Sequence, residues 1–428
     1  MKIIRTSRHS VKFSNKQKRE YLNSFIASCR NVIHQYVYYL WFNSYSFKNK
    51  CGLKVLDIQN EKYNLPRFIS NVKLEKLIPE FSSNGLSARV KKCLLTQAIG
   101  IIKASIEKQR KRKFQIDKGV HISNGLLKNY RNNFNKFPNL ENINIELNSL
   151  CCSVISKDSN SFNLFFKLAS LGKSFNNLYI PIKFHRHSNK IKNNSFKMMT
   201  SFLISENYID IRWVKDIENK SKGNIVGADQ GKIDILTLSD GQITPKEDIH
   251  GHTLDSILRK LSRKRKGSKK FHKAQLHREN FIHWALNRLN LSNISQINLE
   301  NVKNLFYKKK VSRLMKHWSY STIADKVKSL AEISGVHVQL NSSTYRSQRC
   351  SKCGMVRKSN RMGKTYSCKN CGFTIDADFN ASLNHEIELP SIPIVIRNLK
   401  MNIKGFFWKP NGFFSLDGEE IAVPLSST

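Results

Sequence analysis

Four cysteines stand as C-x2-C, fourteen intervening residues and a second C-x2-C: Cys350, Cys353, Cys368 and Cys371. Each pair fits a tight turn that aims two thiolates at one tetrahedral ion, and two such knuckles close a four-thiolate site with Zn–S bonds near ~2.3 Å. With every ligand position filled by protein, none stays open for water or substrate, so the expected ion is one structural Zn2+. Five residues after Cys371 comes Asp376, and two later Asp378, acids that a zinc module alone does not need. Asp378 opens "DFNASLN", which reads as a helix N-terminus. Two more acids close apolar runs: Asp229 ends "IVGAD" and Glu300 ends "INLE", each at the end of an expected strand.

Taken singly, these acids have ordinary readings: Asp229 as a turn residue, Glu300 as a strand-end acid, Asp378 as a helix cap. Together they suggest a carboxylate cluster. Such a cluster can hold two divalent ions about 3.5–4 Å apart, one activating water and the other stabilising the leaving oxygen of a phosphodiester. Magnesium, or manganese in its place, suits carboxylates plus substrate phosphate.

The rest of the chain is strongly basic. Over 428 residues, Lys and Arg total 73 against 31 Asp and Glu, a formal net charge of +42. An excess of that size opposes compaction unless a polyanion neutralises it, and nucleic acid is the usual one. Hydrophobic residues at 40% and aromatics at 10% are too many for a disordered chain. A membrane-binding role would need an amphipathic anchor or a lipidation motif, and neither is evident. Apolar runs such as "YVYYLWF" at 36–42 are too short to span a bilayer. "MKIIRTSRHSVKF" alternates like a strand and lacks a signal-peptide apolar stretch, so an intracellular location, cytoplasmic or nucleoid-associated, is expected. The remaining five of nine cysteines (Cys29, Cys51, Cys93, Cys151 and Cys152) are scattered and read as reduced fillers.

The elements that must position the acids fall into three textures. After the strand at 1–13, residues 16–42 carry Tyr21, Phe25, Ile26, Cys29, Val32 and Ile33 at helical spacings, and a second helix covers about 86–113, ending in "KQRKRK". Residues 142–220 alternate in short segments, suggesting an antiparallel barrel or sandwich into which the helices are inserted. From "IVGADQGKIDILTLSDG" onward the order is strand, Gln230–Gly231 turn, strand, a long helical region at 252–290 broken by "RKRKGSKK", the strand "ISQINLENV", the helix "STIADKVKSLAEISG" and the strand "VHVQLN". That is a mixed α/β layout.

"GADQG" around Asp229, "INLENVKNL" around Glu300, and the cysteine module running into "ADFNAS" around Asp378 resemble the three split RuvC motifs of the TnpB family. Those proteins are transposon-encoded, RNA-guided DNA endonucleases related to type V CRISPR effectors. The resemblance is specific over about 223–385; over 1–222 only the order of strand, helices and barrel agrees. It implies an α+β multidomain chain. The parts are a wedge β-barrel at 1–15 and 120–220, a helical recognition insertion at 16–119, an RNase H-like (RuvC) nuclease at 221–345 and 373–390 and a zinc ribbon at 346–372. The tail at 391–428 matches nothing in the family and could pack as an extra strand pair or serve a partner. Asp229, Glu300 and Asp378 are then the catalytic metal ligands, Asp376 a neighbour, and guide RNA and target DNA the partners, with oligomeric state left open. Departures from the family pattern are Ala228 and Gln230 beside Asp229, and Arg346 in "TYRSQ".

Basic runs supply candidate backbone grips: Arg110, Lys111 and Arg112; Arg263, Lys264, Arg265, Lys266, Lys269 and Lys270; and Lys308, Lys309 and Arg313. Nine of the fifteen residues at 259–273 are Lys or Arg, although a solvated basic face reads equally well at any one position. Two other functions fit parts of the pattern: a guide-dependent DNA-binding repressor that does not cut, and a guide-free, structure-specific RuvC-like nuclease.

Overall fold

The computed structural model describes residues 2–42, 85–117, 124–133, 136–156, 161–302 and 312–421. They fall into two compact units, divided between residues 215 and 216.

The first unit begins with β1 (Lys2–Ser10) and α1 (Lys16–Phe42), followed by α2 (Ala88–Asp117) and α3 (Asn124–Asn132). Leu22, Phe25, Ile26, Cys29, Val32, Ile33, Val37 and Leu40 are buried along one stripe of α1, as the helical period requires. Tyr21 sits at the rim of that stripe and donates its hydroxyl to the Asn176 carbonyl at 3.1 Å. The strands β2 (Ile145–Leu147), β3 (Cys152–Ile155), β4 (Leu164–Leu168), β5 (Leu178–Ile182), β6 (Lys197–Ile204) and β7 (Tyr208–Asp216) follow, with α4 (Arg186–Asn193) between β5 and β6. Their order is β1-β7-β6-β2 in one sheet and β3-β4-β5 in another. A closed barrel is therefore not formed among the described residues, contrary to the expectation from the alternating segments. The β2 edge has a specific reason to stay open: Gln97 of α2 accepts from the Glu146 N–H at 3.0 Å and donates to the Asn144 carbonyl at 2.7 Å. A helix side chain thus satisfies backbone groups that a closing strand would take. Phe166 of β4 and Phe202 of β6 meet edge-on at 4.9 Å between centroids, so the two sheets share one interior.

The second unit contains the acids. Its sheet is built from β8 (Asn224–Asp229), β9 (Thr237–Leu238), β10 (Ile294–Asn301) and β11 (His337–Ser342), in the order β11-β10-β8-β9. β10 runs parallel to both β8 and β11, and β9 is antiparallel to β8. Between β9 and β10 lie α5 (Leu254–Ser262) and α6 (Lys269–Leu286); after β10 come a short α7 (Arg313–Lys316) and α8 (Tyr320–Ser334). The basic run splits α5 from α6 because Ser268 starts a new helix, accepting from the Phe271 N–H at 3.1 Å. Gly335 closes α8 in the left-handed region at φ 68°, and a Cβ there would stand 2.5 Å from the Glu218 carbonyl oxygen.

Side-chain alternation along the strands decides what faces what. Val226, Ala228, Ile297 and Leu299 are buried in one apolar core with Ile257, Phe281, Ile323 and Val327 from the helices. Gly227, Asp229, Asn298 and Glu300 are the intervening positions and point to the opposite face. That face is covered by α9 (Ala377–Glu386), which follows a cysteine-bearing module of short strands, β12 (Met355–Val356), β13 (Arg361–Met362), β14 (Thr365–Ser367) and β15 (Thr374–Asp376). The chain then forms α10 (Ile394–Asn398), α11 (Met401–Lys404), β16 (Phe406–Lys409) and β17 (Gly412–Phe414). β16 pairs with β12 and β17, and Val356, Ile396, Phe406, Trp408 and Phe413 form a shared core. The tail therefore packs as an extra strand pair on the cysteine module.

Candidate functional site

Residues Ala228 and Leu299 are register partners on β8 and β10, so the next pair along the two parallel strands is Asp229 and Glu300. One ligand atom from each of Asp229, Glu300 and His385 lies within 4.8 Å of the other two. Asp229 is only 8% exposed and His385 1%. Burial, the Glu300 charge and then the Asp378 charge push the Asp229 carboxyl well above its ordinary range, with Arg361 and Lys364 opposing. Burial also raises Glu300, to about 7, against a backbone hydrogen bond from Gln230 and the Arg361 charge. Two crowded, desolvated carboxylates are a poor arrangement for an ion-free protein and a good one for a divalent cation.

Asp378 lies in the first turn of α9, but it is not the helix cap. That role belongs to Asp376, whose carboxylate accepts from the Asp378 and Phe379 N–H groups, both at 2.9 Å. The side chain of Asp378 is left to do something else. Arg361 donates to its Oδ1 at 2.8 Å, and Lys364 donates to its Oδ2 and, at 2.5 Å, to Asp234 Oδ2. Both cations come from the β13–β14 hairpin of the cysteine module. Sequence reasoning missed Arg361, Lys364, Asp234 and His385. The one available signal was the pair of basic residues flanking the Gly363 turn; nothing local marks Asp234 or His385.

The four cysteine sulfurs also converge within 4.8 Å of one another. Cys350 and Cys371 Sγ atoms are 3.7 Å apart and those of Cys353 and Cys368 3.6 Å. Bonds near 2.3 Å to one tetrahedral ion place sulfurs about 3.8 Å apart, so the donor set fits such an ion. Replacing Cys368 by serine is expected to lower the bound zinc by one atom per chain. It should also expose residues 350–371 to limited proteolysis. Unchanged zinc content and cleavage pattern would remove the cysteines from any metal role.

A buried polar network joins this module to α9. Asn380 donates to the Arg349 carbonyl at 2.8 Å and accepts from the Ser351 N–H at 3.1 Å. Asn384 donates to the same carbonyl at 2.8 Å and accepts from Arg349 at 2.5 Å. The unmatched C-terminal carbonyls of α9 are taken up too. Arg346 donates to Asn384 and Ile387, Asn341 to His385 at 3.0 Å, and Asn298 to Glu386 at 3.2 Å. Arg346, a departure from the family pattern, is thus a buried strut. Gln230, another departure, donates to the Glu300 carbonyl at 3.0 Å and ties the two acid-bearing strands together.

With this geometry in view, the comparison with known proteins is direct. Residues 320–385 match the family model described as "Cas12f1-like, TNB domain". A segment of 86 residues is 37% identical to the CRISPR-associated endodeoxyribonuclease Cas12f1 of Sulfoacidibacillus thermotolerans, covering 20% of each chain. Over these residues the chain is similar to Cas12f1 and TnpB-like proteins. A TnpB-like protein of Aquifex aeolicus is 35% identical over 79 residues, 18% of this chain and 26% of that one. These segments span between a fifth and about a quarter of the relatives' own lengths. The cryo-EM structure of a Cas12f1–sgRNA–target DNA complex covers 90% of this chain and 99% of that one, at 13% identity and a TM-score of 0.43. The segment matched by the family model runs from α8 through the cysteine module to α9, and so holds Asp378 and the four cysteines. Asp229 and Glu300 precede the family-model match.

The basic candidates are spread over both units. Arg263 to Ser268 form the turn between α5 and α6, with Lys269 and Lys270 opening α6, and the turn is anchored where Arg313 donates to the Lys264 carbonyl at 2.7 Å. On α2, Arg110 pairs with Glu107 at 2.8 Å and Arg112 donates to the Asn133 carbonyl, while Lys111 is exposed. Both arginines therefore already hold intramolecular partners. Lys308 and Lys309 lie outside the described residues, as does Cys51. No described helix is long and apolar enough to cross a membrane.

Proposed function

We propose that the chain is an RNA-guided, divalent-metal-dependent DNA endonuclease of the TnpB type. The observation that carries this reading is the meeting of Asp229 and Glu300 on adjacent parallel strands, beneath the helix that bears Asp378. The names of the relatives support it: one is an endodeoxyribonuclease, and one solved structure holds a guide RNA and target DNA. In this reading residues 221–345 and 373–390 are the RuvC-like nuclease and 346–372 a zinc ribbon. Residues 1–15 and 120–220 serve as the wedge, without a closed barrel, and 16–119 as the recognition insertion.

Asp229, Glu300 and Asp378 would hold magnesium or manganese. The donor set fits, since ligand atoms of Asp229, Glu300 and His385 meet in one small region and the buried His385 ring has an unpartnered Nδ1. When bound, the ions would polarise the scissile phosphate and the attacking water. Gln230 fixes the backbone of Glu300, and Asp376 fixes the first turn of α9, so the acids are held on rigid elements. Arg361 and Lys364 offset the acids' charge through their ion pairs with Asp378 and Asp234. The run at Arg263–Lys270, with Arg313, would grip nucleic-acid backbone without reading sequence, and base pairing with the guide would supply the specificity.

The test is to purify the protein expressed with its native flanking DNA and sequence the RNA that co-purifies. One discrete RNA ending in a segment that directs magnesium-dependent cutting of matching DNA is expected. Equal cutting with and without RNA would replace this reading with a guide-free nuclease.

A further inference from the structure

Outside the acids and the four cysteines, one more group of ligand-type side chains converges among the described residues of the second unit. Asp248 and His252 stand in the loop before α5, and His277 projects from the middle of α6. One ligand atom from each lies within 4.8 Å of the other two. The loop is built to present them. Asp248 Oδ1 accepts the His250 and His252 N–H groups, both at 2.9 Å, which leaves Oδ2 aimed at His252 Nδ1, 3.1 Å away. The Asp248 N–H in turn donates to the His252 carbonyl at 3.1 Å, closing the loop on itself. His252 and His277 meet edge-on with ring centroids 4.7 Å apart.

We infer that Asp248, His252 and His277 form a further metal site that takes one Zn2+ with water in the fourth position. Bonds of about 2.0–2.1 Å to a tetrahedral ion place neighbouring nitrogen and oxygen ligands about 3.3 Å apart, close to the 3.1 Å between Asp248 Oδ2 and His252 Nδ1. Two imidazoles and one carboxylate suit zinc better than magnesium. All three side chains are only partly buried, so both the ion and its water have access. The alternative for the same atoms is an Asp–His ion pair with a histidine packed against it, which needs no ion.

Position gives the site a consequence. α5 starts two residues after His252, and His277 lies eight residues into α6, so the ligands sit at the base of the α5–α6 hairpin. The basic run Arg263–Lys270 is at its tip. An ion bound by these three residues would clamp the loop and α5 to α6 and so hold the basic turn on a rigid stem.

The experiment uses the full chain, stripped with a chelator, loaded with ZnCl2, desalted and measured for zinc per chain. His277→Ala and Asp248→Asn are expected to carry one zinc fewer than the parent. They should lose part of the zinc-induced rise in Tm while melting like the parent in chelator. Asp248→Asn keeps an oxygen that can accept the loop N–H groups, so it guards against a loss that merely reports misfolding. Equal zinc content in parent and both variants would overturn the site, whatever the other metal centres hold. A Cys368→Ser background should lower the zinc of parent and variants alike, leaving their difference of one.

Discussion

Asp229→Ala should lower magnesium-dependent cleavage by roughly 10³-fold or more, at least about 4 kcal/mol of transition-state stabilisation, while guide and target binding stay within a few-fold of the parent. The two effects separate because of where Asp229 sits. It is 8% exposed at the inner end of β8, so it offers little surface to a polyanion. Yet one of its ligand atoms lies within 4.8 Å of one from Glu300 on this face of the sheet. Folding should not suffer from the loss. The pair is held together against burial, which raises both carboxyls above their ordinary range, with the Glu300 charge adding to Asp229 and the Asp378 charge to both. Asp229→Asn should therefore raise the Tm of the chelator-treated protein by a few degrees, a trade of activity for stability expected at charged sites. A cleavage rate for Asp229→Ala within tenfold of the parent would remove Asp229 from the reaction. A parent that binds its guided target yet never nicks it in magnesium or manganese would turn the protein into a guided binder.

The acids and cysteines were legible in the sequence because their chemistry imposes local patterns. A C-x2-C knuckle is a turn with two thiols, and an acid that closes an apolar run stands at a strand end. What surrounds them was not legible, because it depends on partners distant in sequence. Lys364 reaches Asp234, 130 residues away, and nothing near either residue marks the contact. Helix α9 was visible only at its N-terminus. Its buried face is polar, with the Asn380 and Asn384 side chains satisfied by Arg349 and Ser351 and the His385 ring buried beside them, so it has no apolar stripe for periodicity to find.

The barrel expectation failed for a related reason. Alternation along 142–220 specifies strands with one buried face, and it says nothing about whether their edges meet. A single glutamine, Gln97, decided one edge by occupying backbone groups beside and within β2. The helix over 16–42, by contrast, followed directly from its stripe, since one buried face of a long helix is a local property of the chain.

Gly227→Ala should be the most damaging small substitution in the second unit. Alternation turns position 227 toward α9, and the helix backbone lies directly on the glycine. A Cβ there would stand 1.9 Å from the Ser382 carbonyl oxygen, 2.3 Å from the Glu386 nitrogen and 2.8 Å from the His385 carbonyl carbon. These are backbone atoms of one helix, so no rotamer change can relieve the contact. The helix must lift from the sheet by an ångström or more. Lifting it breaks the hydrogen bonds from Asn298 and Asn341 that cap its last carbonyls and carries Asp378 away from Asp229 and Glu300. Overpacking of this kind with loss of buried hydrogen bonds is expected to cost about 3–5 kcal/mol, read as a fall in the urea midpoint, together with loss of cleavage. Gly100→Ala is the contrasting control, since a Cβ at that position in α2 meets nothing within 4 Å; it should be neutral or stabilising by up to about 1 kcal/mol. If Gly227→Ala melted and cut like the parent, α9 could not lie on β8 at this distance, and the convergence of Asp378 with the strand-end acids would fall with it.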